Sequence, residues 1–258
     1  MWDEKEEIEG MKKRGIGVGI AIFVMFVAFS LGGCVLVNMY AGYNAHIYKT
    51  CAYDVLCFGG TARLVLSIFI PMLVILSIIL ENEYKLSVNI VVREKGRDYI
   101  LWKNMYDVII RSLVLVIANA LICLAVGYIS TGKFYNFNSG DSLYYIVNSK
   151  VEYNAVLITI KIIFLSFMEV ITRCFIGIML MQFINKTWLV VLLEILFVIC
   201  IPNKFIHIAK DISKSVDYGV FSSTRLYNIS LSCMFVVASA VILAAIFLSK
   251  KRDFIGLE

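Results

Sequence analysis

Between Val108 and Ile129 the chain reads VIIRSLVLVIANALICLAVGYI, twenty-two residues with Arg111 as the only charge. A helix needs about 20 mostly apolar residues to cross a bilayer. Five more runs approach or reach that length: Ile16–Val37, Ala62–Leu80, Ala155–Met181, Thr187–Ile201 and Leu226–Leu248. Thr187–Ile201 is short and stops at Pro202. The runs are continuous rather than alternating, which excludes a membrane β-barrel and leaves helices. No polar segment is long enough for a soluble catalytic domain, whose usual size is about 100–150 residues. The sequence therefore predicts an all-α integral membrane protein with one domain, residues 1–258, built of six transmembrane helices. Within it, residues 1–15 form an N-terminal segment, 81–106 a charged elbow between helices 2 and 3, and 203–225 a loop with an interfacial helix.

Lys and Arg in the connecting segments set the orientation. With the N-terminus inside, Lys12-Lys13-Arg14, the elbow and Lys250-Lys251-Arg252 all fall on the cytoplasmic side. An even number of spans then places both termini in the cytoplasm of a multi-pass protein. The net charge of +5 follows from this anchoring, and no aromatic-basic face accompanies it, so nucleic acid is not an expected partner. The stretch Leu31-Gly32-Gly33-Cys34 resembles a lipoprotein cleavage box after a basic start. The apolar run continues past Cys34 to Val37, and five spans follow, so the segment reads as helix 1.

Cys34, Cys123, Cys174, Cys200 and Cys233 lie in or beside apolar runs, where a thiol behaves as a small hydrophobe. Cys51 and Cys57 share the first outer loop. Their spacing allows a disulfide in an oxidising compartment; the alternative is two free thiols. No His/Cys grouping has metal-ligand spacing, and no metal or other cofactor is expected on the chain.

The elbow is the most charged part of the chain. Tyr84, Val88, Val91 and Val92 share a helical face, and Glu81 and Lys85 form an i, i+4 pair. Gly96 suits the residue after a helix end, and Asp98 suits the N-cap of the next helix. The pattern is an amphipathic helix on the membrane surface, a glycine corner, and a second helix running into span three. A plain connector needs only a few residues. A solvated, lipid-binding positive loop and a docking site for a cytosolic partner both fit.

The stretch ENEYKLSVNIVVREKGRDYILWKN resembles the loop between spans two and three of type 2 ABC exporter permeases. There an acid and an aromatic follow span two, an amphipathic helix comes next, and an Arg and a Lys lead into span three. Glu83, Tyr84, Arg97 and Lys103 match in kind, with a slightly shorter Arg-to-Lys spacing. In topology the resemblance covers the whole chain, in motif only the elbow. The nearest subgroup is the lantibiotic-immunity and bacteriocin-type permeases of Gram-positive bacteria. The resemblance implies a coupling helix, with Glu83, Tyr84, Arg93, Arg97 and Lys103 facing a separate cytosolic ATPase that binds the ATP. It also implies a second permease subunit, identical or different, in a bacterial plasma membrane, and an amphiphilic substrate such as an antimicrobial peptide. The chain has no Gly-x-x-x-x-Gly-Lys-Ser/Thr phosphate loop, in keeping with a permease that is not itself an enzyme.

Ionisable residues at membrane depth are functional suspects. Glu169 and Arg173, four apart in span four, can neutralise each other, either as a structural tie or along a translocation path. Glu194 in span five has no local partner by spacing and is the third path candidate. Asp107 and Arg111 are likewise four apart. Two other functions compete. A non-transporting scaffold or sensor needs nothing that the sequence lacks. An intramembrane enzyme needs a nucleophile with its base, or metal ligands, at membrane depth, and no span carries a histidine.

Overall fold

The computed structural model describes residues 19–32, 34–35, 51–59, 69–85, 96–136, 139, 154–184, 189–190, 192–193, 196 and 224–255. All regular secondary structure among them is helical. We label the helices α1 (Gly19–Gly32), α2 (Ala52–Gly59), α3 (Ile70–Lys85), α4 (Gly96–Thr131), α5 (Ala155–Phe183) and α6 (Thr224–Ile255). Three of them contain apolar segments long enough to cross a membrane: Leu101–Thr131, Val156–Met181 and Tyr227–Leu248. Gly19–Gly32 and Ile70–Leu80 are shorter apolar helices. The chain is thus an all-helical membrane protein.

Local chemistry sets the helix ends. Asn154 caps α5 by accepting a hydrogen bond from the Val156 amide at 2.9 Å, satisfying one of the N–H groups that a helix start leaves without a carbonyl. α4 ends where Gly132 adopts the left-handed conformation, φ +68°, with its amide donating to the Tyr128 carbonyl at 2.8 Å. Glycine fits there because a Cβ would strain that backbone.

Cross-helix contacts fix direction and register. Arg111 of α4 donates to the Ser77 hydroxyl of α3 at 2.6 Å. Ser112 of α4 meets Cys174 of α5 at 3.9 Å. Cys34, just beyond α1, meets Cys123 of α4 at 3.3 Å. The Lys161 ammonium of α5 sits 5.4 Å from the centre of the Tyr227 ring of α6. Two apolar clusters stack along the bundle. One joins Phe26, Leu73, Ile78, Leu101, Val108, Val116, Val170, Phe175 and Ala245. The other joins Cys34, Val55, Ala120, Cys123, Ile158, Leu165 and Met234. From the first cluster to the second, residue numbers rise on α1 and α4 and fall on α5 and α6, so α1 runs parallel to α4, α5 antiparallel to α4, and α6 parallel to α5. α5 packs against α6, α4 and α3 and carries the most buried of the three long apolar segments, so it is the axis of the described bundle.

α2 closes the end of the bundle near Gly132. Its first amides donate to the carbonyls of Lys133 (2.9 Å) and Phe134 (3.4 Å). The Asp54 carboxylate reaches back to the Cys51 amide at 2.8 Å, a capping interaction in which an acid also suits the positive end of the helix dipole. The helix lies so close to α4 that a Cβ on Gly127 would come 2.8 Å from Ala52 Cα and 2.9 Å from Val55 Cβ. Gly127 is therefore required by the packing itself.

Candidate functional site

A polar seam separates the two apolar clusters. Ser30 lies on α1 between Phe26 of one cluster and Cys34 of the other, and Asn119 lies on α4 between Val116 and Ala120. On α5, Ser166 and Glu169 flank Met168, where the same boundary falls. All four are buried. The contacts that set the register also place them at one depth. Ser30 and Asn119 each stand one turn before the touching Cys34 and Cys123. The Ser112–Cys174 contact, followed along antiparallel helices, brings Ser166 level with Ala120.

Glu169 and Arg173 are the charged part of this seam. The guanidinium donates to the Glu169 carboxylate at 3.1 Å. Glu169 is 5% exposed, and the Arg173 side chain is 19% exposed. The expected i, i+4 pair is therefore made. The acid is N-terminal to the base, the better polarity for a helix. At membrane depth either charge alone would be expensive, and pairing is what makes both tolerable. Among the described residues, Arg173 Nε and the hydroxyls of Ser30 and Ser166 are buried without a hydrogen-bond partner. Thr172 is satisfied locally, its hydroxyl donating to the Met168 carbonyl at 2.7 Å. The seam thus offers unused hydrogen-bonding capacity next to an ion pair in an otherwise apolar interior.

The elbow candidates gather at the opposite end of α4 from Gly132. Glu83 and Tyr84 lie on the last turn of α3, and Arg97 on the first turn of α4. Following the Arg111–Ser77 contact toward this end brings the backbone of Lys85 level with Lys103 and that of Tyr84 level with Asn104. Four of the five elbow residues thus share one end of the bundle. Arg93 and the amphipathic segment around Val88–Val92 lie outside the described residues. One detail is corrected: α4 starts at Gly96, so Asp98 sits within its first turn rather than at its cap. Glu194 lies outside the described residues, as do residues 203–223 of the expected interfacial loop, while Thr224 and Arg225 open α6.

The disulfide expectation is also corrected. Cys51 is a free, buried thiol, and burial, followed by the neighbouring Asp54 charge, pushes it up to about 12. Cys57 lies on the helix that Cys51 caps. Six residues along a helix separate Cα atoms by about 9 Å, beyond the roughly 7 Å a disulfide can bridge.

Sequence reasoning missed an aromatic register on α4. Tyr99, Trp102 and Tyr106 are exposed on the same side as Ile110, Leu113 and Ile117. At the other end Tyr128 is exposed and stacks on Phe134, ring centres 4.1 Å apart. Trp102 and Tyr128 are about 39 Å apart along the helix, close to the roughly 40–45 Å between the polar faces of a bilayer. The spacing Tyr-x-x-Trp-x-x-x-Tyr could have shown this, since tyrosine and tryptophan prefer headgroup depth. Comparison of the chain with family models, curated proteins and solved structures finds no match.

Proposed function

We propose that this chain is the permease subunit of an ATP-driven exporter. It has six spans with both termini cytoplasmic in a bacterial plasma membrane. It moves or expels an amphiphilic substrate such as an antimicrobial peptide. A separate cytosolic ABC ATPase binds and hydrolyses the ATP, and a second permease subunit, identical or different, completes the pore.

The observation that carries this reading is the pair of helical struts at the Gly96 end. α3 stays helical beyond its apolar residues, through Glu83 and Tyr84 to Lys85, and α4 begins at Gly96, ahead of its apolar segment. A connector would let both helices fray at the membrane surface. Continuous helices on both sides make stiff arms flanking the elbow instead, and stiffness of the arms is what would allow a distant hydrolytic event to bias the spans. The buried Glu169–Arg173 pair on the axial helix supports the second half of the reading, because charges at this depth mark solute paths.

The test is to purify the tagged chain from its native membranes, wild type beside Arg93→Glu/Arg97→Glu. The wild type is expected to bring down a phosphate-loop ATPase with measurable hydrolysis. The charge-reversed protein is expected to insert normally and lose that subunit. Full retention of the ATPase by the variant would remove the elbow from the docking role. Failure of the wild type to carry any ATPase would favour the scaffold reading.

A further inference from the structure

We infer that Cys34 and Cys123 form an oxidisable dithiol whose disulfide would pin the end of the first apolar helix to α4. The two sulfurs are 3.3 Å apart, on segments 89 residues apart in sequence, and both residues are fully buried. Two thiols treated as small hydrophobes would pack at random against methyl groups. Here the Cys34 thiol donates to the Cys123 sulfur. A disulfide is about 2.05 Å long, so closure needs an approach of little more than an ångström. The parallel course of the two helices allows it without reversing either chain.

The other buried thiols provide the contrast. Cys174 meets the Ser112 hydroxyl at 3.9 Å and the Pro71 carbonyl at 4.0 Å. Cys51 is held at the start of α2 beside Asp54. Neither touches a second sulfur among the described contacts. Among the described residues, only the Cys34–Cys123 pair is poised for bond formation.

The oxidant suited to this location is a peroxide, small and uncharged enough to enter the bilayer. One thiol attacks the peroxide oxygen, becoming a sulfenic acid and releasing water. The second thiol then displaces the hydroxyl as a second water while the S–S bond forms. Overall two thiols and one hydrogen peroxide give one disulfide and two waters. A dithiol reductant reverses the reaction. The bond would remove the freedom of the Cys34 end to move relative to α4.

The experiment treats the full-length protein in membranes with hydrogen peroxide, denatures it, alkylates free thiols and maps the products by mass spectrometry. The expected result is two fewer alkylated cysteines and a cross-linked pair of peptides carrying Cys34 and Cys123, both restored by reductant. Cys123→Ser should abolish the cross-link and Cys174→Ser should leave it intact. Equal alkylation before and after peroxide would overturn the inference. So would a cross-link that joins other cysteines, or oxidation of Cys34 and Cys123 only to separate sulfinic acids. The wild-type result stands even if a serine variant folds poorly.

Discussion

α5 and α6 are both long apolar helices, yet they occupy opposite environments. The apolar segment of α6 is the more hydrophobic, yet it is 17% buried against 61% for α5. In water the greasier helix would be the inner one. In a bilayer the order inverts, because lipid is as apolar as leucine and gives apolar side chains no reason to hide. Polar groups do have a reason, and α5 carries them: Ser166, Glu169, Thr172 and Arg173. α6 instead shows Phe235, Val236, Leu243 and Phe247 at its exposed surface. The comparison says where chemistry can occur: on the less hydrophobic helix, at the axis.

The sharpest way to break the comparison is to strip one charge from the α5 pair. Glu169→Leu leaves the Arg173 guanidinium uncompensated, and a broken buried pair typically costs about 3–5 kcal/mol. Thermal unfolding in detergent should show this as a large loss. Glu169→Leu/Arg173→Leu should recover most of the stability, since apolar replacement of a whole buried pair is often neutral or better. Equal damage in the single and double variants would mean the pair is not compensated as described.

Next comes the Gly127 contact, which ties α4 to α2. Gly127→Leu forces a side chain into the backbone of Ala52, and overpacking of this kind costs about 1–3 kcal/mol. Released from α4, Cys51 should become open to alkylation in native membranes. A thiol that stays protected would show that α2 holds by its other contacts, such as those to Lys133 and Phe134.

Smaller again is Gly132→Ala. A Cβ at left-handed φ costs about 1–2 kcal/mol, with nothing within 4 Å to clash with it, so only the end of α4 should loosen. Smallest are Val236→Ala and Leu243→Ala on α6. Exposed positions away from special features usually shift stability by about 0.5 kcal/mol or less. A loss several times larger on α6 would show that this surface is covered.

Much of the architecture was legible in the sequence, and the reasons are physical. α5 was expected at Ala155–Met181 and is observed at Ala155–Phe183, because a continuous apolar run has only one way to satisfy its backbone in lipid. The Glu169–Arg173 pair was legible for a related reason: helical spacing alone puts the two on one face. α2 was not. Eight residues give too short a pattern, and the signal that existed, Asp54 reaching back to the Cys51 amide with Val55 and Leu56 behind it, is a capping detail. Reading Cys51 and Cys57 as a pair within a loop followed from missing that helix. The depth shared by Ser30, Asn119 and Ser166 was also hidden, since it depends on helix direction and register, which only the contacts between helices reveal.

The central claim is that the axial helix couples a path through the membrane to ATP hydrolysis elsewhere, while the lipid-facing helix does not take part. The most direct measurement is ATP hydrolysis by the complex purified from native membranes and reconstituted in vesicles, with and without an amphiphilic antimicrobial peptide. The wild type and the Val236→Ala/Leu243→Ala variant are predicted to hydrolyse ATP and to be stimulated by the peptide. Glu169→Gln/Arg173→Gln, which removes both charges and keeps overall neutrality, is predicted to keep basal hydrolysis and lose the stimulation. Stimulation unchanged in the Glu169→Gln/Arg173→Gln protein, or lost equally in the α6 variant, would contradict the account.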